Sequence, residues 1–374
     1  MKVALVHDWL TGMRGGEKVL EVMCELYPDA DLFTLVHRRG SVSATIERHR
    51  ITTSFVQRLP FAAARYRSYL PLFPTAIEQF ALDGYDLVIS SSHCAAKAVV
   101  APGRARHISY CHSPMRYAWD QFEEYFGPAR VGARMSRWCY RPLLARMARW
   151  DAATAPRVHR FLANSRHVAG RIQRYYNRDS TVVYPPVDTT FFHPSPAGTA
   201  AIAPASALVV SALVPYKRVD RAIEACALAD LPLRIAGDGP DRDRLARQAG
   251  DHVTFLGRVS DETLRDEYRA ARLVILPGEE DFGIAPLEAQ ACGRPVVALA
   301  RGGALETVKN GQTGLLFPEP TAASLADTLR AALRWNFDAV HIRDHAETFS
   351  RDRHAERLRA VIDDTLASPA GRQW

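Results

Sequence analysis

Short runs of apolar residues alternate along this chain with longer stretches whose apolar positions repeat every three to four residues. In the first half the runs KVALVH (2–7), DLFTLV (31–36), DLVIS (86–90), HISYC (107–111) and FLANS (161–165) predict buried strands. In the second half ALVVSAL (207–213), LRIAG (233–237), VTFLG (253–257), LVILP (273–277) and PVVAL (295–299) do the same, with LLF (315–317) the last. Helical periodicity fills 16–26, 165–176, 216–228, 240–249, 260–271, 283–292 and 320–334, and returns over 320–368. Nearly unbroken Val/Ile/Leu runs belong to strands covered on both faces, and strand–helix alternation makes such sheets parallel. Five strands on each side of about residue 200, with LLF a further one at the end of the second set, predict an α/β protein of two doubly wound, Rossmann-like units. The segment FFHPSPAGTAAIAPAS (191–206), rich in Pro, Ala, Gly and Ser, has the composition of a linker. The expected domains are 1–198 and 199–351, with a C-terminal helix of about 352–374 rejoining the first. Such units bind ligands at the C-terminal ends of their strands, so two facing units place a ligand in the cleft between them.

The length, 374 residues, suits two domains, and 47% hydrophobic with 24% charged residues is the balance of a globular chain. No apolar run nears the ~18 residues of a membrane-spanning helix. The opening MKVALVHDWL is broken by His7 and Asp8 and is expected to be a first strand, not a secretory signal. The six cysteines lie far apart with no C-x-x-C pair, which argues against metal knuckles and a disulfide framework and for a reducing cytoplasm.

Charge sharpens the picture. The formal net charge is +7, but residues 1–200 hold 26 Lys and Arg against 16 Asp and Glu, and the remainder 22 against 25. The densest stretch, 101–150, has 9 basic and 3 acidic residues. A basic first half points to an anionic partner, nucleic acid or membrane, or else to arginine-rich helices that solvate a face. The segment 55–74 interleaves aromatics with Arg58, Arg65 and Arg67. It suits a membrane interface or a helical hairpin packed on its own domain.

The most informative stretch is GEEDFGIAPLEAQACGRPVVA (278–298), directly after the strand LVILP. Gly283 is the point where the chain turns into a helix. The N–H groups of Gly283 and Ile284 then lie at a helix N-terminus, a ready site for a diphosphate. Glu288, about one and a half turns in, suits a ribose diol, and Glu280, in the loop before, suits hydroxyls of a sugar beyond the phosphates. Strand, G-E-E-D-F-G-I, helix thus has the order of a nucleotide sugar.

This segment resembles the signature of retaining GT-B glycosyltransferases of family 4, the group 1 glycosyl transferases. Other stretches resemble the same family in order: VHDWLTGMRGGEKVLE (6–21), SYCHSPMRYAWD (109–120), ANSRHVAGRIQRYY (163–176), VVYPPVD (182–188), SALVPYKRVDRAIEA (211–225), AGDGPDRDRL (236–245), FLGRVSDETL (255–264) and GGALETVKNGQTGLLF (302–317). The resemblance implies the GT-B fold, a nucleotide-diphospho-sugar donor in the second domain, an acceptor in the first and no obligatory metal. It makes Lys217 a diphosphate ligand, His112 the histidine near the donor sugar, and Glu280 the residue that fixes that sugar; these three are the expected catalytic residues. Gly15, Gly16, Arg116, Arg218, Arg258, Phe282, Gly283, Ile284 and Glu288 complete the expected donor-binding set. Arg116, four residues after His112, is a candidate partner for acceptor or donor phosphate. Many members carry an arginine five residues before the lysine; here Ala212 stands there, and Arg218, Arg116 or Arg258 are the candidates to replace it.

A dinucleotide fingerprint is not formed: Gly237 and Gly239 have the spacing, but Arg242 occupies the third position. Asp241-Arg242-Asp243 is formally a D-x-D metal signature, yet it follows Gly-Pro at a helix start, where aspartates cap helices. The segments C-H-S-P-M-R-Y and V-P-Y-K-R-V-D look most like members using GDP-mannose. The expectation is therefore an α-mannosyltransferase of bacterial surface polysaccharide, peripheral at the inner face of the cytoplasmic membrane. Its acceptor would be an oligosaccharide on polyprenyl diphosphate, and no nucleic acid is involved. Another nucleotide hexose such as UDP-glucose, and a non-catalytic nucleotide-sugar-binding or membrane-docking scaffold, are the alternatives.

Overall fold

The computed structural model describes residues 1–195 and 206–368; most of the linker segment lies outside them. The chain forms two compact units, Met1–Pro186 with the helical residues from Asp352, and Val187–Arg351. The sequence alone puts the change of unit at 198/199. The structure divides earlier because the residues after Pro186 are held by the second unit. Val187 N–H donates to the Phe349 carbonyl, Thr189 Oγ1 donates to Glu347 at 2.7 Å, and Phe192 packs edge-on against Tyr268.

The first unit holds a parallel sheet of seven strands. They are β1 (Val3–His7), β2 (Asp31–Thr34), β3 (Arg50–Thr53), β4 (Leu87–Ser92), β5 (Arg106–Cys111), β6 (Arg160–Ala163) and β7 (Ser180–Val182), in the order β3-β2-β1-β4-β5-β6-β7. Two more strands exist than the five apolar runs predict. Both extras, RITT and STV, are polar edge strands with one covered side at most, so no apolar run marks them. Alternate residues of the central strands bury opposite faces. Ala4, Val6 and Val88 join a core with Trp9, Phe73 and Ile77. Val3, Leu5, Leu87 and Ile89 join another with Val19, Leu20 and Met23 of the helix Gly15–Leu26 and Leu358, Val361 and Ile362 of the last helix, Arg351–Ala367. The segment 55–74 forms short helices whose Tyr66, Leu70 and Phe73 join the first of these cores, while Phe61 stays 73% exposed.

The second unit repeats the plan with β8 (Ala207–Val210), β9 (Leu233–Ala236), β10 (Val253–Gly257), β11 (Leu273–Leu276), β12 (Val296–Leu299) and β13 (Gly314–Phe317), all parallel in the order β10-β9-β8-β11-β12-β13. In each sheet the strand order reverses once, between β1 and β4 and between β8 and β11. Those reversals are where ligands bind in doubly wound sheets.

Burial in the first unit also fixes a pH response. His107 on β5 is fully buried, with Nε2 2.9 Å from Ser90 Oγ and Nδ1 3.1 Å from the Arg157 carbonyl. Burial pushes its ring down to about 3, which outweighs the bond to Arg157. The unfolded chain binds that proton near pH 6.5, so the neutral ring's contribution is complete above 6.5 and declines as the pH falls toward 3. Urea unfolding of this unit should lose about 2 kcal/mol from pH 6.5 to 5 on this account. In a His107→Asn variant that folds, the pH dependence should flatten.

Candidate active site

At the β8/β11 reversal two loops leave adjacent strand ends. The loop after β8 enters a short turn of helix, Pro215–Lys217; the loop after β11 runs from Pro277 to Gly283 and into the helix Ile284–Ala291. They are joined by an ion pair between the Lys217 ammonium and the Glu280 carboxylate, whose side chains are only 18% and 10% exposed. Arg221 holds the end of β11 by donating to the Pro277 carbonyl at 2.5 Å. Gly303 N–H donates to the Glu280 carbonyl at 2.8 Å. A Cβ on Gly302 (φ +62°) would stand 2.4 Å from that same carbonyl oxygen. Only glycine lets the 301–303 turn approach the Glu280 backbone this closely.

Gly283 takes φ +91° and precedes the helix without a side-chain cap. The first N–H groups of that helix are thus left for another acceptor. Phe282 is buried and packs 5.9 Å from Phe349. Glu288 is buried on the helix and accepts a hydrogen bond from Tyr268 at 3.0 Å. Burial and the neighbouring Glu288 push the Tyr268 phenol well above its ordinary value, so it stays a donor.

The remaining cations of this unit lie differently. Arg218 takes a left-handed backbone (φ 53°) and turns its guanidinium onto Asp220, with both oxygens engaged at 3.1 and 3.0 Å. Asp220 is half-buried, which raises its carboxyl, but the Arg218 bonds outweigh this and hold it below the usual range. Arg258 is exposed beyond the edge strand β10, with β9 between it and β8. Asp241, expected as a helix cap, makes no cap bond; its carboxylate is taken by Arg244 at 2.6 and 3.1 Å. An i,i+3 guanidinium offers two charge-assisted bonds where a cap offers one.

At the β1/β4 reversal in the first unit, Gly15 and Gly16 open the helix Gly15–Leu26, and Gly16 lies against the rings of His112 and His7. His112 follows β5, with its carbonyl accepting from Asn164 at 2.9 Å and its Nε2 2.8 Å from Ser91 Oγ. Burial, with His93, His7 and Arg116 nearby, pushes its ring well below the ordinary value. Arg116 Nε lies 3.4 Å from Ser113 Oγ, and Arg171 donates to the same hydroxyl at 2.9 Å.

Sequence reasoning missed the residues around His112. The Asp8 carboxylate, fully buried, accepts four backbone N–H bonds of 2.6–2.9 Å from His93, Cys94, Ala95 and Ala96, and faces His93 Nδ1 at 3.1 Å. Ser91 and His93 lie beside His112, with His7 behind Ser91 and Glu17 beyond His7. The available signal was V-H-D-W closing β1 and S-S-S-H closing β4: polar residues at the ends of two buried strands that flank the reversal.

Comparison with known proteins follows the same division. The model of the group 1 glycosyl transferases matches residues 203–348, and that of glycosyltransferase family 4 matches residues 14–191. A D-inositol 3-phosphate glycosyltransferase of Rhodococcus erythropolis is 35% identical over 230 residues, 53% of this chain and 52% of that protein. Its counterpart in Mycolicibacterium gilvum is 36% identical over 217 residues, 51% and 48%. The chain therefore spans about half the length of the curated relatives it matches. Among solved structures, Anabaena HepE in complex with UDP superimposes with a TM-score of 0.70 at 19% identity, over 97% of this chain and 100% of that one. The outer-core lipopolysaccharide galactosyltransferase WaaB does so at 0.66 and 18%, over 97% and 99%. With one family model on each unit, in order, and the fold shared along the whole length, the chain belongs to glycosyltransferase family 4, the group 1 glycosyl transferases of GT-B fold.

Proposed function

We propose that the chain is a retaining hexosyltransferase that takes its sugar from a nucleotide diphosphate. The observation that carries the reading is the Lys217–Glu280 pair at the β8/β11 reversal, beside the uncapped helix start at Gly283. The ammonium and the N–H groups of Gly283 and Ile284 supply a fixed positive field for the donor diphosphate, and need no metal to do so. Glu288 takes the ribose and Glu280 the sugar hydroxyls. In the first unit His112 meets the sugar, and the loop at Gly15 and Gly16 admits phosphate or acceptor. Transfer runs on one face: the leaving diphosphate oxygen takes the proton of the acceptor hydroxyl as the new bond forms, through an oxocarbenium-like sugar. The protein orients both partners and stabilises the leaving charge.

GDP-mannose is the donor favoured by the segments around His112 and Lys217. UDP-glucose is the second reading, because HepE, of the same fold, is described with UDP-glucose. Calorimetric titration with GDP-mannose, UDP-glucose, GDP and UDP decides between them. Tightest binding of GDP-mannose is expected; binding of the uridine donor alone would replace it, and binding of none would leave a scaffold.

The acceptor in this reading is an oligosaccharide on polyprenyl diphosphate at the inner face of the cytoplasmic membrane. It is supported by the surface of residues 128–149, where Arg130, Arg134, Arg137, Arg141, Arg146 and Arg149 are exposed together with Trp138 (71%) and Met135 (48%). Guanidiniums with an exposed indole suit lipid phosphates and the interface below them. No described helix is long and apolar enough to cross a membrane. Sedimentation with anionic vesicles should fall several-fold in Arg134→Glu/Arg137→Glu and in high salt. Binding indifferent to both would remove the membrane from the reading.

A further inference from the structure

Four side chains of the first unit form one line ending at His112. The register of β1 on β4 sets His7 beside Ser91, and that of β4 on β5 sets Ser91 beside Tyr110. His112 lies two residues beyond Tyr110 and so returns to the same face of the sheet. His7 Nδ1 is 3.1 Å from Ser91 Oγ, and Ser91 Oγ is 2.8 Å from His112 Nε2. At the other end His7 Nε2 faces Glu17 Oε1 at 3.8 Å, within ion-pair range but longer than a hydrogen bond. His7, Ser91 and Glu17 are buried, at 0%, 0% and 3% exposure. A Cβ on Gly16 would fall 3.5 Å from His112 Nε2, so this glycine closes over the same ring edge without pushing it aside. Among the described residues, His112 Nδ1 has no hydrogen-bond partner.

A hydroxyl has one proton to donate, so the line runs in one of two directions. In one, His7 Nδ1–H donates to Ser91, Ser91 donates to His112 Nε2, and His112 carries its own proton on Nδ1. In the other, every proton is reversed. Glu17 decides between them. A neutral imidazole has a single ring proton, and a carboxylate facing His7 Nε2 favours it there. His7 Nδ1 is then an acceptor, Ser91 O–H donates to it, and Ser91 Oγ accepts the Nε2–H of His112. We propose that Glu17, His7 and Ser91 are positioning residues that fix His112 with its proton on Nε2, so that Nδ1 accepts a hydrogen bond from a hydroxyl of the bound sugar. The proposal rests on the reading that His112 meets the sugar. Two further observations agree with it. Burial raises the Glu17 carboxyl, but its contacts with His7 outweigh this and hold it below the usual range, so it is an anion at neutral pH. His112 itself is kept neutral chiefly by burial, with the Arg116 guanidinium nearby acting in the same direction.

The test is histidine-selective nitrogen NMR on the full chain at pH 8, with the His112 signals assigned by their loss in His112→Gln. The wild type is expected to carry the His112 proton on Nε2. In Glu17→Gln the amide can donate to His7 Nε2, which reverses the line, and His112 should move its proton to Nδ1. Ser91→Ala cuts the line and should give a mixture, and it serves if Glu17→Gln does not fold. In a transfer assay both variants should lose about tenfold in kcat, the worth of one hydrogen bond, with nucleotide affinity held. A wild-type proton on Nδ1, or one unchanged tautomer in all variants, overturns the proposal and leaves the transfer reading standing. Wild-type transfer by His112→Gln would instead overturn the sugar contact beneath it, whatever the tautomer.

Discussion

Lys217→Ala is expected to lower transfer by about 10²–10³-fold, with circular dichroism unchanged. The size follows from what an ammonium does beside a leaving diphosphate: the charge it faces grows toward the transition state, so its loss raises the barrier more than it weakens binding. The ammonium is paired with Glu280 in this structure, which offers a rival account in which lysine only holds the glutamate. The two accounts separate in a double-mutant cycle. If Lys217 acts only through Glu280, then Lys217→Ala/Glu280→Gln should be no worse than Glu280→Gln alone. If it binds the diphosphate, the double variant should fall well below the single one and lose affinity for the bare nucleoside diphosphate. Both side chains are largely buried, so the lost partner should cost some stability as well, and transfer is compared at a temperature where circular dichroism shows the variant folded. Near-normal transfer by Lys217→Ala would end the assignment.

This pair shows what a single sequence carries and what it does not. Lys217 and Glu280 stand 63 residues apart, yet each follows a strand whose apolar run is unmistakable, and each sits in a local pattern with one chemical use. The same holds for Gly283 and Glu288, placed by strand, loop and helix in one continuous stretch. The line behind His112 is not local. Its members come from β1, the first helix, β4 and the end of β5, and they meet only because the strand order brings β1 and β5 to either side of β4. In the sequence, Ser91 is one of three serines in a row and looks like a polar loop; in the fold it is the seam between two histidines. Edge strands fail for the opposite reason. Arg50–Thr53 is partly solvated along its length, so burial imposed no apolar pattern to read. Arg218 and Ala212 mark a third limit: the family resemblance offered Arg218 as a replacement cation, but a left-handed residue at the helix start aims it at Asp220 in this structure.

The largest stability effect is expected away from the candidate site, at Lys97. This lysine is buried to 1% exposure in the short turn Ala96–Ala98, immediately after the backbone segment gathered by Asp8. Its ammonium pairs with Asp151 Oδ1 at 3.0 Å and donates to the Asp151 carbonyl at 2.5 Å and to Thr154 at 3.0 Å. It also lies 4.6 Å from the centre of the Tyr176 ring. Asp151 in turn accepts from Trp119 at 2.7 Å and from Tyr176 at 2.8 Å. One buried carboxylate therefore joins the β4 end, the segment after His112 and two helices. Lys97→Met keeps the volume of the stem but leaves that carboxylate with two neutral donors and no cation. Removing one partner of a buried pair costs about 3–5 kcal/mol, which for a unit of this size is about 10 °C in Tm. Most of that cost is the stranded charge, not the lost attraction. Lys97→Met/Asp151→Asn should therefore recover about 1–3 kcal/mol of it, since the amide still accepts from Trp119 or Tyr176 without needing a counter-charge. Urea unfolding of the wild type, both single variants and the double variant closes the cycle. A Lys97→Met protein as stable as the wild type, or a double variant no better than the single, would show that the pair is not what binds these four elements together.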